Sequence, residues 1–246
     1  MTATTAICGY DADSITLRGK DLVNEVIGHY SFTAAFLLQA LGKPPTDEQV
    51  KLVDLVLVTI MEHGLVPSAV ASRLTYHGAP ESLQGAVAAG LLGVGDRYAG
   101  TAGKCGELVN QLLSAPDLAE AANSAVVQAR ANKAPIPGFG HPIHKGRDPR
   151  VSRLIEHLPS DAPALLAMLA IEQALKEVLG KPLVMNVSAA MAAVMAHAEI
   201  PSTMMRGVVL IARCAGLVGH VVEEMQNPVG HALWTGAEGA VAYQED

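Results

Sequence analysis

The sequence contains few aromatic residues (4%), few charged residues (17%) and only three cysteines among its 246 residues. Cys8, Cys105 and Cys214 are widely spaced, and no two of them form a Cys-x-x-Cys pair. An odd number of cysteines without a disulfide framework is typical of a reducing cytosol. The N-terminus lacks the basic start and the long apolar stretch of a signal peptide, so we expect a cytoplasmic protein.

A long uninterrupted apolar run is also missing, although half of the residues are hydrophobic and the mean hydropathy is +0.29. No stretch of about 18 uncharged apolar residues, the minimum for a membrane-spanning helix, is present. The most apolar stretch, residues 52–61, is interrupted by Asp54. We therefore expect no membrane partner, but buried helices and helices at a subunit interface of a homodimer or homotetramer.

Basic residues are in the minority, with 17 Lys and Arg against 24 Asp and Glu and a net charge of −7. Nucleic-acid binding depends mainly on neutralising phosphates, so we expect no nucleic-acid partner. The hydrophobic content excludes a disordered chain. The length fits one large domain or two small ones and needs no disulfide or metal for stability.

Helical signals cover nearly the whole chain, and we predict an all-α fold. Thr46 and Gln49 form a capping box that opens a helix with little polar surface, which is typical of a buried helix. Gly64 and Pro67 place its end at about His63. Further stretches rich in Ala, Leu and Met predict helices at 21–41, 68–77, 81–92, 99–113, 117–133, 150–157, 162–179, 187–198 and 202–225.

Residues 134–150 interrupt this pattern with four prolines and three glycines. Such a long loop inside a domain is usually functional or disordered. It gathers cations in an acidic protein and therefore suggests an anionic ligand: His141, His144, Lys145, Arg147 and Arg150.

Other readings of this loop are weaker. Gly138-Phe139-Gly140 has neither the preceding strand nor the third glycine of a dinucleotide site. Pro142 separates His141 from His144, and no carboxylate or cysteine set accompanies them, so we predict no metal site. Gly-x-Ser-x-Gly, P-loop and His-Glu-x-x-His motifs are absent from the sequence.

Two isolated charged positions leave alternatives open. His63, at the end of a buried helix, is either a hydrogen-bonded core histidine or a cationic contact to an anion, which a helix C-terminus favours. Arg213 lies within an apolar helical stretch, where a buried cation needs a partner. No acidic residue lies within one helical turn, so its partner is either a distant carboxylate or a bound anion.

Four motifs in order resemble the citrate synthase superfamily, and within it the compact citryl-CoA lyase module that also forms the C-terminal part of ATP-citrate lyase. The resemblance covers about residues 21–234. The motifs are Glu62-His63-Gly64, Gly95-Asp96-Arg97-Tyr98-Ala99-Gly100, Gly138-Phe139-Gly140-His141 with Asp148-Pro149-Arg150, and Arg213-x-x-Gly216-x-x-Gly219-His220.

The resemblance implies an all-helical protein in which a large part (about 1–99 and 204–246) and a small part (about 100–203) close over a CoA thioester. It implies that His63 and His141 contact the oxo-acid or citryl group and that Arg150 and Arg213 bind its carboxylates, as arginine's planar fork allows. The glycine-proline loop would cradle CoA. Its residues are Pro137, Gly138, Phe139, Gly140, Lys145 and Arg147. Acyl-CoA and oxo acids are then the expected ligands, with no tightly bound cofactor.

Three positions depart from the family pattern. Tyr98 occupies a position where synthases place histidine and the lyase module places an aromatic residue, which favours a lyase. Ser188 replaces the family aspartate that handles the proton at the acetyl carbon. No Lys or Arg follows Arg213, although dimeric relatives often supply a C-terminal arginine to the substrate, so His231 is the expected replacement.

These features predict an enzyme that cleaves a citryl-CoA-type 3-hydroxyacyl-CoA into a short acyl-CoA and an oxo acid. The alternatives are a condensing acyltransferase of the citrate synthase type and, because of Ser188, a catalytically weak acyl-CoA-binding relative. Glu62 and Asp96 are the carboxylates nearest in the matching motifs. Neither is an obvious substitute for the missing aspartate.

Overall fold

The computed structural model describes residues 2–96, 100–140, 148–180 and 182–245. They form two compact units, Met1–Leu55 and Val56–Asp246. The described residues taken together are mainly helical, so the predicted all-α class is confirmed. The division into a large and a small part at residues 99 and 204 stays a prediction.

The first unit contains the only strands of the described residues. β1 (Cys8–Tyr10), β2 (Ile15–Leu17) and β3 (Lys20–Asp21) form an antiparallel sheet in that order. This sheet was not expected, because each strand is only two or three residues long and lacks a measurable alternation of polar and apolar residues.

The prediction of a single helix over residues 21–41 is wrong. A π-helical turn (Leu22–Val26) and α1 (Phe32–Leu41) take its place. Gly28 lies between them with a φ of 82°, a left-handed conformation that ends a helix. Ser31 then caps α1, and its hydroxyl accepts the Ala34 N–H at 3.1 Å.

The predicted capping box is confirmed at the start of α2 (Asp47–Ile60). The Gln49 N–H donates to the Thr46 hydroxyl at 3.1 Å, and the Thr46 N–H donates to the Gln49 side chain at 3.0 Å. The predicted end at about His63 is wrong, because α2 stops three residues earlier, at Ile60.

The second unit consists of the end of α2 and nine further helices. They are α3 (Pro67–Gly78), α4 (Leu83–Leu92), α5 (Thr101–Leu113), α6 (Leu118–Ala131), α7 (Pro149–Ile155), α8 (Pro163–Leu179), α9 (Val187–His197), α10 (Ser202–Gln226) and α11 (Gly230–Ala240). All but α11 were expected within a few residues. The sequence of α11 contains three glycines and gave no clear helical periodicity.

Two helices organise the core of this unit. The short helix α9 is buried on nearly every side and packs against α5, α7 and α8. The long helix α10 packs against α3, α4 and α5. Because α7 contacts α9 and α3 contacts α10, these two helices position elements that carry the candidate site.

By length and composition alone, α10 could cross a membrane, with a mean hydropathy of 1.5 over its most apolar window. However, 44% of that window is buried inside the protein, and the window includes the charged Arg213. A core helix of a soluble protein passes the same test.

Candidate active site

A turn over residues 61–64 is the centre of the candidate site. One carboxylate oxygen of Glu62 accepts the backbone N–H of His63 at 2.9 Å and that of Gly64 at 2.6 Å. Gly64 has a φ of 70°. These bonds give the chain an alternative to continuing α2, which explains the early helix end. His63 is consequently exposed in a turn rather than placed at a helix terminus.

The structure brings Arg150 to this turn. α7 begins with Pro149, and the N-cap Asp148 accepts both the Arg150 N–H at 2.9 Å and an Arg150 Nη at 2.7 Å. Asp148 is 3% exposed, so the guanidinium is held against a buried carboxylate. The other Nη of Arg150 lies 3.4 Å from Nδ1 of His63.

This contact defines the tautomer of His63. Arginine nitrogens only donate hydrogen bonds, so Nδ1 of His63 must accept. The proton of the neutral imidazole is therefore on Nε2. A ring in this state can donate a hydrogen bond to an oxygen of a bound ligand while its Nδ1 is held by Arg150.

Arg213 reaches the same turn from α10. Its side chain is 5% exposed and donates to the carbonyl oxygens of Ile60 and Met61, at 3.5 and 3.3 Å, and to the Ser68 hydroxyl at 3.3 Å. Within the described residues, no carboxylate lies within 4.0 Å of it. Burial lowers the pKa of Arg213, although the nearby Glu62 carboxylate opposes this.

The glycine of the Arg-x-x-Gly motif explains how the turn can lie so close to α10. A Cβ at Gly216 would be 2.0 Å from the carbonyl oxygen of Met61. No side chain fits there. Gly216 thus permits the backbone contact that places Met61 and Glu62 beside Arg213.

A buried network holds the other side of the turn. Arg73, 3% exposed on α3, donates from Nη1 to Glu224 at 2.8 Å and also pairs with Glu223. Its Nε donates to Nδ1 of His220 at 3.0 Å, and Nε2 of His220 is 3.1 Å from the Glu62 carboxylate. Partial burial raises the pKa of Glu62, but the three hydrogen bonds it accepts hold the pKa below its ordinary value.

The expected CoA loop is fixed by the segment before α9. Phe139 pairs antiparallel with Met185. The Asn186 N–H donates to the carbonyl of Gly138 at 2.9 Å, and its side-chain amide donates to the carbonyl of Gly140 at 3.1 Å. Gly138 has a φ of 86° and little room for a Cβ. The backbone of residues 138–140 is therefore held in place by the segment before α9.

The same asparagine caps α9 and so positions Ser188. The Asn186 side-chain oxygen accepts the Ser188 N–H at 2.9 Å. Ser188 is half-buried in the first turn of the helix. Ser188 therefore lies just beyond the segment that pairs with Phe139.

A cleft of about 320 Å³ opens beside this loop, between α5 and α6. It mixes polar and apolar side chains. Its lining consists of Lys104, Glu107, Leu108, Gln111, Ala125, Gln128, Ala129, Asn132, Pro135, Ile136 and Pro137. The cleft therefore shares Pro137 with the expected CoA loop.

Other predicted residues are not brought to the turn. His231 lies in the first turn of α11, where its ring is 6.4 Å from that of His77 and 5.9 Å from that of Trp234. Asp96 pairs with Lys104 at 3.2 Å and with Arg206 at 2.7 Å, which lowers the pKa of Asp96. Four further predicted residues lie outside the described part of the chain: Tyr98, His141, Lys145 and Arg147.

Sequence reasoning gave no structural role to several residues that build the site. His220 was noted only as a motif member, and Arg73 was not singled out. Glu62 was considered only as a motif member and as a substitute for the missing aspartate. Arg73 could have been found by the argument used for Arg213, since it too is a lone cation within a helix. Asn186, a good N-cap residue directly before Val187, was a second available signal.

Comparison with known proteins agrees with these features. The family model described as "Citrate synthase, C-terminal domain" matches residues 3–233. A citrate synthase from Heyndrickxia coagulans is 28% identical over 204 residues, or 80% of this chain. This chain spans about half the length of that relative (53%).

Solved structures show the same fold. Citryl-CoA lyase from Hydrogenobacter thermophilus superimposes with a TM-score of 0.88 and 27% identity, covering 100% of this chain and 96% of the other. ATP citrate lyase from Methanothrix soehngenii, solved with citrate and coenzyme A, has a TM-score of 0.81 and 20% identity over 100% of this chain and 42% of its own. The chain therefore belongs to the citrate synthase and citryl-CoA lyase superfamily of enzymes.

Proposed function

We propose that this protein cleaves a citryl-CoA-type 3-hydroxyacyl-CoA into a short acyl-CoA and an oxo acid such as oxaloacetate. The fold match to a citryl-CoA lyase, with a TM-score of 0.88 and 27% identity, supports cleavage over condensation. Tyr98, at the position where the lyase module carries an aromatic residue, supports the same direction.

The observation that carries the proposal is the state of Arg213. It is buried, its described hydrogen-bond partners are two carbonyls and a hydroxyl, and the described carboxylate that acts on its charge, Glu62, does so without a direct ion pair. A buried charge without a directly paired counter-charge is costly. A substrate carboxylate beside the turn would supply that counter-charge. The bound-anion reading of Arg213 is thus favoured over the structural one.

His63 and Arg150 form the second contact to the oxo-acid portion. The Nε2–H of His63 donates to a substrate oxygen, and the guanidinium of Arg150, held by Asp148, adds positive charge. Both stabilise the negative charge that the oxo-acid portion carries once its hydroxyl proton has left, before the carbon–carbon bond breaks.

Cleavage needs a base at the substrate hydroxyl, which we assign to His141. Its removal of the hydroxyl proton turns the carbinol carbon into the ketone of the oxo acid. The bond to the acetyl carbon breaks, and its electron pair forms the thioester enolate. A proton then returns to that carbon and gives the acyl-CoA.

CoA would lie along the loop over residues 137–140 and in the neighbouring cleft. Lys104 supplies a cation on the cleft wall, and Lys145 and Arg147 are assigned to the phosphates. CoA enters as part of the substrate. We propose no metal or tightly bound cofactor and a cytoplasmic location.

Ser188 supports one alternative, a relative that binds acyl-CoA but turns it over weakly. The enolate proton needs an acid or base, and an unassisted hydroxyl titrates far from neutral pH. A condensing acyltransferase is the other alternative, and the relationship to a citrate synthase supports it.

Three assays of the purified protein separate these functions. Oxaloacetate released from citryl-CoA, measured through malate dehydrogenase and NADH, supports the lyase. Free CoA formed from acetyl-CoA and oxaloacetate supports the condensing enzyme. CoA binding by calorimetry without either turnover supports the weak relative and contradicts the lyase.

Arg213 gives the matched test of the site. We expect Arg213→Met to lower kcat/KM for citryl-CoA at least about a hundredfold, because a charge-assisted pair to the substrate is lost. Arg206→Met, on the exposed start of the same helix, is the control. Equal activity of the two variants would contradict a substrate role for Arg213.

Ser188→Asp tests the missing proton-transfer group. We expect a gain in citryl-CoA cleavage, since the carboxylate restores the family's residue in the first turn of α9. An unchanged rate would mean that another residue already serves this step. Ser188→Asn, which has the same shape without the charge, is the control.

His231 is proposed as the group that holds a further substrate carboxylate from across a subunit interface. We expect His231→Ala to raise KM for citryl-CoA more than for a 3-hydroxyacyl-CoA with one carboxylate fewer. A preference for citryl-CoA that His231→Ala leaves unchanged would remove this assignment.

A further inference from the structure

We propose that His220 is a positioning residue, held by a contact at each ring nitrogen, that holds His63 in place through Glu62. This inference rests on the proposed function. It concerns a residue for which the sequence motif alone gives no role.

The tautomer follows from the two partners of the ring. Arg73 can only donate, so Nδ1 of His220, 3.0 Å from the Arg73 Nε, must be unprotonated. Glu62 is held ionised by the N–H groups it accepts, so Nε2 of His220, 3.1 Å away, must carry the proton. The His220 ring therefore accepts a hydrogen bond from Arg73 at Nδ1 and donates one to Glu62 from Nε2.

This link anchors the turn to the core. Arg73 is itself held by Glu224, a residue that is 3% exposed and lies one helical turn beyond His220 on α10. Glu62 is much more exposed, at 52% of its side chain, and would be mobile without its partners. His220 thus connects the exposed turn at Glu62 to the buried ion pair of Arg73 and Glu224.

The turn in turn orients His63. The Glu62 oxygen that faces His220 also accepts the N–H of His63 and that of Gly64. A shift of this carboxylate moves the His63 backbone and with it the contact to Arg150. His220 therefore acts on His63 through Glu62. Of these two histidines, only His63 is assigned to the substrate.

Two charged groups contact the ring directly. Arg73 approaches from α3 and Glu62 from the turn, while Glu223 and Glu224 of α10 pair with Arg73. A proton on Nδ1 would face the Arg73 guanidinium.

Two substitutions separate positioning from packing. His220→Gln places an amide N–H near the position of Nε2 and keeps the contact to Glu62. His220→Asn places its amide near Nδ1, so it can still accept from Arg73 but does not reach Glu62. The exposed His29→Asn is the control for the substitution itself.

We expect His220→Asn to lower kcat/KM for citryl-CoA at least about tenfold, mainly through KM, because the His63 contact is misplaced. His220→Gln should restore most of that loss, while both variants melt within a few degrees of each other. In ¹⁵N spectra of the histidines, we expect wild-type His220 to show a protonated Nε2 only. The His63 signals should move in His220→Asn and not in His220→Gln.

Equal losses of activity in both variants, or a protonated Nδ1 on wild-type His220, would overturn the proposal. A wild-type protein without citryl-CoA turnover would overturn the proposed function instead. In that event the ¹⁵N signals of His63 in the two variants test the role of His220, because they report on the position of His63 without any substrate.

Discussion

At the scale of single residues, the candidate site depends on glycines at positions where a larger side chain would clash with its neighbours. Gly216 admits the carbonyl of Met61, and Gly138 lies between Cys105 and Ala189. His63 and Arg213 are in contrast held by contacts to neighbours far away in sequence. The site thus depends both on close backbone packing at these glycines and on hydrogen bonds between polar side chains.

Gly216→Ala is expected to destabilise the protein by about 1–3 kcal/mol and to raise KM, because the new methyl group would clash with the Met61 carbonyl. Gly219→Ala, on the same helix, is the matched control. Nothing lies within 4 Å of its Cβ, so we expect a gain of up to about 1 kcal/mol from helix propensity. Urea unfolding measures both, and equal effects would contradict the close contact.

Cys105 is expected to be chemically inert in the folded protein. Burial raises its pKa to about 12, so only about one thiol in ten thousand is ionised at pH 8. A variant that keeps only Cys105 should not react with a disulfide reagent until guanidine is added. A variant that keeps only the exposed Cys8 should react at once. Rapid reaction of native Cys105 would contradict its burial.

At the scale of elements, α3 and α10 are joined by the Arg73 ion pairs. Burial raises the pKa of Glu224, but hydrogen bonds from Arg73, Gly230 and Val229 lower it below the ordinary 4.5. The same carboxylate accepts the backbone N–H of Gly230 at 2.6 Å, at the start of α11. Glu224 therefore connects three helices.

We expect Glu224→Gln to destabilise the protein by about 3–5 kcal/mol at pH 7, because Arg73 is left as a buried charge with a weaker partner. A lowered folded-state pKa means that this contribution is complete above about pH 4.5 and is lost as the pH falls through the folded value. The difference from wild type in urea unfolding should thus narrow below pH 4.5.

Glu223→Gln is the matched control, since that carboxylate also pairs with Arg73 but is 61% exposed. Surface pairs contribute at most about 1 kcal/mol. A difference for Glu224→Gln that stays constant from pH 7 to pH 3.5 would contradict the ionised pair.

At the scale of the whole molecule, an exposed apolar stripe on α10 supports the expected oligomer. Val218, Val222 and Met225 are 37%, 42% and 47% exposed and are spaced along one helical face. Trp234 on α11 is 51% exposed. Such residues are typical of a subunit interface.

Light scattering should give a mass that is a multiple of the 25.6 kDa chain. We expect Val222→Glu to yield the monomer with an unchanged circular dichroism spectrum, because a charge cannot be buried unpaired in an interface. Val127→Glu, which changes a similarly exposed valine of α6, is the control. A monomeric wild type would remove the role proposed for His231 across the interface.

Local patterns in the sequence predict the helical class, the capping box at Thr46, most helix positions and the family motifs. These depend on local rules: capping, propensity and the spacing of apolar residues act within a few positions of each other. The short sheet and the break at Gly28 escaped the same rules, because two or three residues carry too little periodicity to outweigh the surrounding helical pattern.

Which motif residues contact one another depends on the tertiary structure. Arg213, far from any acidic residue in sequence, is buried against the carbonyls of Ile60 and Met61. Arg73 and Glu62 meet His220 across more than a hundred residues of chain. A lone cation in a helix signals that a partner exists. Which partner it finds depends on helix packing and on the close approach that Gly216 permits, and no local pattern encodes that geometry.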